Sequence, residues 1–250
     1  MKKAALTIFL GFLLLGFPLS LCRESSAEET DLIKDIDRVY FERDQGDSVR
    51  KGEALCEEAL KKENVPKDEI FWRQARYKAW EGNIAAEKNE KFRFFQETEA
   101  LARKAVEANP ANPEGHFWLG VAYGRRGEVQ GILKSLSLIE PIKHEMEEVL
   151  KINPNHAGAH HLLGVLYRKL PWFKGGSDKK SVEELKKSIE LNRSNTLYRI
   201  DLAKTYLDMG KKEEALKELK EVAAIEPVFD PVQARIDRSE ASSLIEKEST

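Results

Sequence analysis

The chain has 250 residues, of which 34% are charged and 8% aromatic, and its formal net charge at neutral pH is −2. A nucleic-acid-binding protein needs a basic surface, so this balance argues against DNA or RNA as a partner. No alternating strand pattern flanked by turn signals is present, whereas residues that favour helices, such as Ala, Leu, Lys and Glu, are abundant. This composition predicts an all-α protein.

The first 27 residues have the layout of a signal peptide. Lys2 and Lys3 precede an uncharged, mainly apolar run over residues 4–21, and the small residues Ser-Ser-Ala follow at 25–27. Signal peptidases cleave after small residues of this kind. We therefore expect a mature chain that begins near Glu28 and is exported, either to the periplasm or as a secreted protein.

Two alternatives would keep the N-terminus at a membrane. The apolar run is almost long enough to span a bilayer, so it could remain as an uncleaved anchor. Residues 19–22, Leu-Ser-Leu-Cys, also resemble a bacterial lipoprotein cleavage box in which Cys22 is acylated, although Leu21 occupies a position where a small residue is usual. We expect membrane association only through such an anchor or lipid.

Residues 28–66 predict a degenerate N-terminal helical hairpin. Apolar residues recur at helical spacing on both sides of a turn at residues 45–47. Cys56 is on the apolar face of the second helix, and it is the only cysteine that remains after cleavage at residue 27. No intramolecular disulfide can then form, and we expect Cys56 to be a buried structural thiol.

An internal repeat follows this hairpin. The pattern Leu, then Gly or Ala, then Tyr three residues later begins at Leu119, Leu163 and Leu202. The Asn-Pro-like stops at residues 110, 154, 193 and 227 are 44, 39 and 34 residues apart, and the last step matches a helix-turn-helix solenoid period of about 34 residues. The extra length of the earlier steps falls between the two helices of a repeat, so stacking between repeats is preserved.

The predicted architecture is therefore an all-α, helix-turn-helix solenoid with longer insertions between the helices of the middle repeats. Asp230-Pro231 reads as an N-cap followed by proline at the first helical position, which predicts a C-terminal capping helix and tail over residues 228–250. The repeat region covers residues 67–227, divided into 67–110, 111–154, 155–193 and 194–227.

The first helix of each hairpin is expected to line the concave surface of such a solenoid. Placing the repeats in one register predicts a binding groove that combines aromatic rings with cations, a surface suited to an extended peptide that carries carboxylates. The alternative is that the cations are ordinary helix-surface residues. The predicted groove residues are Arg73, Tyr77, Trp80, Phe117, Arg125, His161, Arg168, Lys169 and Lys204.

Other chemistry finds little support in the sequence. His156 and His160 have a spacing that could present two ligands to zinc, but no Cys or carboxylate nearby completes a set. The glycine-containing segment 174–181 lacks the spacing of a phosphate-binding loop and any preceding strand. No Ser-His-Asp or Cys-His pattern is present, so we predict no metal, no cofactor and no enzymatic activity.

Residues 69–227 resemble the tetratricopeptide repeat (TPR) family. More narrowly, residues 115–120 together with 127–131, and residues 160–164 before Pro171-Trp172, resemble the repeat domain of the eukaryotic regulator-of-microtubule-dynamics proteins. This resemblance implies an all-α adaptor without enzymatic activity. It implies no particular partner, because these families share packing residues, and a microtubule role is at odds with a bacterial-type export signal.

Two functions follow from these expectations. The first is an exported, non-catalytic scaffold that holds a protein or extended peptide in its concave groove. The second is an accessory ligand-binding component of a periplasmic solute transporter, because the Gly-Gly turn at 175–176 is similar to one in the T-component of tripartite ATP-independent periplasmic (TRAP) transporters. The sequence leaves the role of the insertions at 124–141 and 170–176 open.

Overall fold

The structure, a computed structural model, describes residues 31–131 and 135–249. Within these ranges the chain forms eleven α-helices and two short 3-10 turns, and it forms no strand. The predicted signal peptide and Cys22 lie outside the described residues. No helix in the described ranges is long and apolar enough to cross a membrane.

Ten of these helices form five successive hairpins, and the eleventh packs against the last of them. The hairpins are α1 (31–40) with α2 (Ser48–Leu60), α3 (Lys67–Ile84) with α4 (Lys88–Ala108), α5 (Pro113–Gln130) with α6 (Ile139–Ile152), α7 (Ala157–Lys169) with α8 (Asp178–Leu191), and α9 (Thr196–Asp208) with α10 (Lys212–Ala224), followed by the capping helix α11 (Pro231–Ser249).

The predicted solenoid, its insertions and its capping helix are confirmed. The extra residues lie inside hairpins, where 3-10 turns form at Leu136–Leu138 and Trp172–Lys174. The first insertion is shorter than the predicted 124–141, because α5 continues to Gln130 and α6 begins at Ile139. The boundaries assigned to the individual repeats stay a prediction.

Asparagines at the repeat junctions fix where the first helices begin. The Asn112 side chain accepts a hydrogen bond from the Glu114 backbone N–H, with Pro113 at the first helical position. Asn195 caps α9 in the same way through the Leu197 N–H. Each cap satisfies a backbone donor that the helix leaves unpaired, so the short junctions set the direction of the next hairpin.

Small residues on the first helices allow the paired helices to approach closely. A Cβ atom placed on Gly120 would lie 2.5 Å from Met146 Cε, and one on Gly164 would lie 2.6 Å from Leu185 Cγ. Met146 and Leu185 are themselves fully buried. The glycine that marks the repeat in the sequence is therefore the point where the second helix packs onto the first.

Candidate binding cavity

The first helices of the hairpins surround a cavity of about 680 Å³ on the concave side of the solenoid. Helices α3, α5, α7 and α9 contribute to its wall, as do the start of α6 and the capping helix α11. Gly131, Ser135 and Leu138, which follow the end of α5, also line the cavity. These residues of the insertion that the sequence left unexplained thus form part of the cavity wall.

Much of the cavity wall is apolar and aromatic. Phe117 packs edge-on against Trp118 with ring centroids 5.5 Å apart, and it lies against His156 at 4.9 Å. Trp80 is only 7% exposed and faces the same space from α3. The remaining aliphatic and phenylalanine lining comes from Ala79, Val121, Leu138, Ile139, Ile142, Leu162, Val165, Leu166, Leu170, Leu197 and Phe229.

The cationic groove residues of α7 share acidic partners with their neighbours. Arg168 donates to Asp201 Oδ1 at 3.1 Å, and its guanidinium lies 3.4 Å from Asp208. His161 Nε2 lies 2.8 Å from Asp201 Oδ2. Burial raises the pKa of Asp201, but the hydrogen bond and charge of His161, with the charges of Lys204 and Arg168, lower that pKa to about 2. Asp201 is therefore a permanent anion on the cavity wall.

The other predicted cations are also paired. Arg125 donates to Glu128 at 3.0 Å, and Lys169 bonds the same carboxylate from the next hairpin. Burial raises the pKa of Glu128, and the charges of Arg125 and Lys169 outweigh that effect and lower it. Lys204 pairs with Glu240 of the capping helix at 2.7 Å. The wall is thus lined by neutralised ion pairs.

The structure brings seven of the nine predicted groove residues to the cavity and places the other two elsewhere. Arg73 is only 7% exposed and bonds both oxygens of Asp37 in the first hairpin, at 3.0 and 2.8 Å. Tyr77 is fully buried and donates its hydroxyl to the Ile36 carbonyl at 2.8 Å. Their predicted groove position is wrong, because α1 and α2 cover that face of α3. A binding role for the seven cavity residues stays a prediction.

An ion pair between residues near the two ends of the described chain forms part of the cavity wall. Arg43, which is 4% exposed, donates to both carboxylate oxygens of Asp230 at 2.9 Å. Its guanidinium also stacks over the rings of Tyr40 and Trp80, at 4.3 and 4.6 Å from their centroids. Arg235 of α11 bonds Asp44 nearby. We call the Arg43–Asp230 pair the latch.

The latch was not predicted from the sequence, although the position of Arg43 within an apolar stripe indicates a buried, paired cation. Arg43 falls at the next position of the apolar stripe formed by Ile36, Val39 and Tyr40, where a cation has no reason to lie unless it is paired. Asp230 was read as an N-cap, and its carboxylate does accept the Gln233 N–H at 3.0 Å. Its second role with Arg43 depends on a residue 187 positions away.

His116, His156, His160 and Cys56 make packing and hydrogen-bond contacts within the fold. His116 bonds Glu145 at 2.7 Å and lies 3.1 Å from the Pro110 carbonyl, and His160 repeats this arrangement one hairpin later. The His156 side chain caps α7. Among the residues that the structure describes, no group of three or more possible metal ligands comes together. Burial raises the pKa of the Cys56 thiol to about 12.

Comparisons with known proteins identify a family and relatives that this chain resembles. A family model described as "Regulator of microtubule dynamics protein 1-3" matches residues 32–248. Regulator of microtubule dynamics protein 1 of Bos taurus is 27% identical over 110 residues, which cover 42% of this chain and 34% of that protein. The Homo sapiens protein of the same name is 25% identical over 107 residues, covering 41% and 34%. The chain covers about a third of the length of these curated relatives.

A solved structure gives the same fold. A thermophilic TPR protein of Thermus thermophilus superposes with a TM-score of 0.64 at 19% sequence identity, covering 85% of this chain and 98% of that one. The predicted TPR-like repeat and the narrower family resemblance are confirmed. The similarity to the TRAP T-component stays a prediction.

Proposed function

The chain belongs to the Regulator of microtubule dynamics protein 1-3 family, and from that premise we propose that it is a non-catalytic scaffold that binds an apolar segment of a partner protein in its central cavity. The cavity itself supports this proposal. Its volume of about 680 Å³ falls within the roughly 300–1,000 Å³ of typical ligand sites, which are also mainly apolar with a few polar groups.

The charges on the cavity wall favour an apolar occupant over an acidic one. An incoming carboxylate would have to displace Asp201 from Arg168, or Glu128 from Arg125 and Lys169, before it could bind these cations. Such an exchange contributes little binding free energy, because one ion pair only replaces another. The aromatic wall around Trp80 and Phe117 instead offers the kind of desolvated anchor site that carries most binding energy in interfaces.

A cavity-filling variant tests this proposal. Val121 lines the cavity without belonging to its ion pairs, so Val121→Trp should occupy the space. We expect it to weaken binding of extended apolar peptides by roughly ten-fold or more, since buried anchor contacts contribute about 1–3 kcal/mol. The matched control is Ile84→Trp at the end of α3, where the side chain is 60% exposed and outside the cavity lining.

The same assay has outcomes that reject the proposal. Apolar and acidic peptides of equal length would be compared by fluorescence anisotropy at low and high salt. Preferential binding of acidic peptides that weakens with salt would favour the cationic groove instead. Equal binding by the parent protein and Val121→Trp would place the partner on another surface.

The second candidate is an accessory component of a solute transporter, in which the cavity holds a small molecule. The latch favours it, because this bidentate ion pair forms part of the cavity wall and a wall fixed in this way suits a small enclosed occupant. Native mass spectrometry of the protein purified from its own cells distinguishes the two. A bound mass that Val121→Trp removes supports the transporter role, and its absence supports the scaffold.

We propose in addition that the protein works outside the cytoplasm. Support comes from the sequence, in the apolar run and the Ser-Ser-Ala site before Glu28. The microtubule function named for its relatives is not carried over to this chain on the same ground. N-terminal sequencing of the purified protein should give a start near Glu28. An acylated Cys22 would replace a soluble protein with a lipid-anchored one, and a retained Met1 would indicate an uncleaved anchor.

A further inference from the structure

The insertion between α7 and α8 presents two aromatic side chains to solvent. Trp172 is 85% exposed and Phe173 is 63% exposed. Their rings meet edge-on with centroids 5.9 Å apart. Single exposed apolar residues are common on protein surfaces, but two adjacent large aromatic rings at the tip of a turn mark an interaction site. Neither ring lines the central cavity.

The backbone of this tip is fixed by its own hydrogen bonds. The Lys174 and Gly176 N–H groups both donate to the Pro171 carbonyl, at 2.9 and 3.1 Å, and Gly175 donates to Trp172 at 3.1 Å. Gly175 has a φ of +90°, which only glycine adopts readily. A Cβ on Gly176 would lie 1.8 Å from the Leu170 carbonyl oxygen. The rings are therefore presented by a preformed turn and need little ordering when they bind.

Lysines flank the two rings. Lys174 directly follows Phe173, and Lys179 and Lys180 stand in the first turn of α8, all exposed. Lys179 lies 4.0 Å from Glu183, and Lys180 lies over the Tyr167 ring at 5.3 Å. Residues 170–180 contain three lysines and the single acid Asp178, although the whole chain is slightly negative. The local charge is opposite to that of an anionic lipid surface.

From this combination we propose that the Trp172–Phe173 tip inserts into the interfacial layer of a membrane that contains anionic lipids. Tryptophan suits that layer because its ring is apolar while its indole N–H can remain hydrated among headgroups. Lysines near the surface add attraction to anionic headgroups. The site is separate from the cavity, so it can operate whether or not the cavity holds a partner.

Tryptophan fluorescence tests the proposal with the protein purified from its own cells. The protein is mixed with vesicles of phosphatidylcholine, with or without phosphatidylglycerol, whose acyl chains carry bromine as a quencher. Trp172 is the exposed reporter, because Trp72 and Trp80 are 8% and 7% exposed and Trp118 is partly buried. We expect a blue shift and quenching of Trp172 on vesicles that contain phosphatidylglycerol, and weaker quenching on phosphatidylcholine alone.

Variants separate the tip from any other membrane contact. Phe173→Ala, and separately Lys174→Glu with Lys180→Glu, should reduce the quenching of Trp172 several-fold without changing the melting temperature. The matched control is Ile84→Ala with Val228→Ala, which removes two other exposed apolar side chains, 60% and 75% exposed, and should leave quenching unchanged.

Three results would overturn the proposal. The first is an absence of quenching on every vesicle. The second is quenching that the tip variants leave unaltered, since the N-terminus would then make the membrane contact. The third is a Trp172 side chain that is shielded by a bound protein and not by lipid, in which case the tip is a protein interface.

Discussion

Gly164 sets the distance between helices α7 and α8. A Cβ at this position would meet Leu185 Cγ at 2.6 Å and the Leu185 backbone nitrogen at 3.2 Å, so the paired helix itself would have to move. We expect Gly164→Ala to lower the free energy of unfolding by about 1–2 kcal/mol, because an overpacking cost of about 1–3 kcal/mol exceeds the roughly 0.5–1 kcal/mol that alanine gains in a helix. Thermal unfolding followed by circular dichroism measures the change.

The control is the same substitution at Gly124, which also lies inside a helix of the repeat region. The nearest atom to a Cβ there is Leu162 Cδ1 at 4.0 Å, an ordinary contact. Gly124→Ala should therefore leave the melting temperature unchanged or raise it. Equal responses of the two variants would mean that close packing does not explain the repeated glycine.

The fold could be predicted from residue spacing because each copy of the repeat pattern lies within a single helix. Leu119, Gly120 and Tyr123 lie on one helix face, and their copies recur in the next two hairpins, so the repeat register could be predicted without knowing the contacts. Ion pairing could not be read in this way. Asp201 bonds His161 and Arg168 from 40 and 33 residues away, and nothing in the local sequence distinguishes it from a solvated acid.

The first hairpin explains why Arg73 and Tyr77 lie outside the cavity. Its sequence is degenerate, so its placement over α3 was not foreseen. Asp37 of α1 accepts hydrogen bonds from Arg73 and from Arg76, and it draws both arginines away from the concave face. The part of α3 that lines the cavity consequently begins at Ala79, toward the C-terminal end of the helix.

The capping helix α11 carries a buried acid that makes its docking sensitive to pH. Asp237 is fully buried and accepts hydrogen bonds from the Thr196 hydroxyl at 2.5 Å and from Gln233 at 2.7 Å. Burial raises the pKa of Asp237 to about 6 despite these bonds, and the negative charges of Glu240 and Asp201 raise it further. The folded protein therefore favours the protonated form of Asp237 more than the unfolded chain does.

Because folding raises the pKa of Asp237, the free energy of unfolding should fall as the pH rises. A folded-state pKa of about 6, above the unfolded value of about 3.9, means that Asp237 contributes stability below pH 4 that is lost as the pH rises through 6. We expect Asp237→Asn to raise the free energy of unfolding at pH 7 by roughly 2 kcal/mol relative to the parent. Near pH 4 the two proteins should unfold alike. If the two proteins differed by the same free energy of unfolding from pH 4 to pH 7, the titration of Asp237 would not be the cause.

The latch joins the first hairpin to the start of the capping helix at the cavity wall. Arg43 and Asp230 belong to opposite ends of the described chain, and their side chains are 2% and 18% exposed. A salt bridge so deeply buried stabilises little in itself, but leaving one charge without its partner costs about 3–5 kcal/mol. The two halves of the latch should therefore respond unequally to mutation.

Asp230→Asn should be the more harmful change. It strands the buried guanidinium of Arg43 while the amide oxygen can still cap α11 through the Gln233 N–H, and we expect a loss of about 3–5 kcal/mol. Arg43→Met leaves a partly exposed carboxylate that keeps its bond to Gln233, so its cost should be smaller. Arg235→Met is the control, since the side chains of its ion pair with Asp44 are 54% and 32% exposed and exposed pairs contribute about 0–1 kcal/mol.

The double variant decides whether the loss comes from the pair. Arg43→Met with Asp230→Asn removes both charges, so its stability should recover toward that of Arg43→Met alone, and the coupling between the sites should appear in a double-mutant cycle. An open latch should also speed the exchange of a cavity-bound peptide. If Asp230→Asn unfolds like the parent and exchange is unchanged, the ends of the chain do not meet in solution, and the cavity is an open groove.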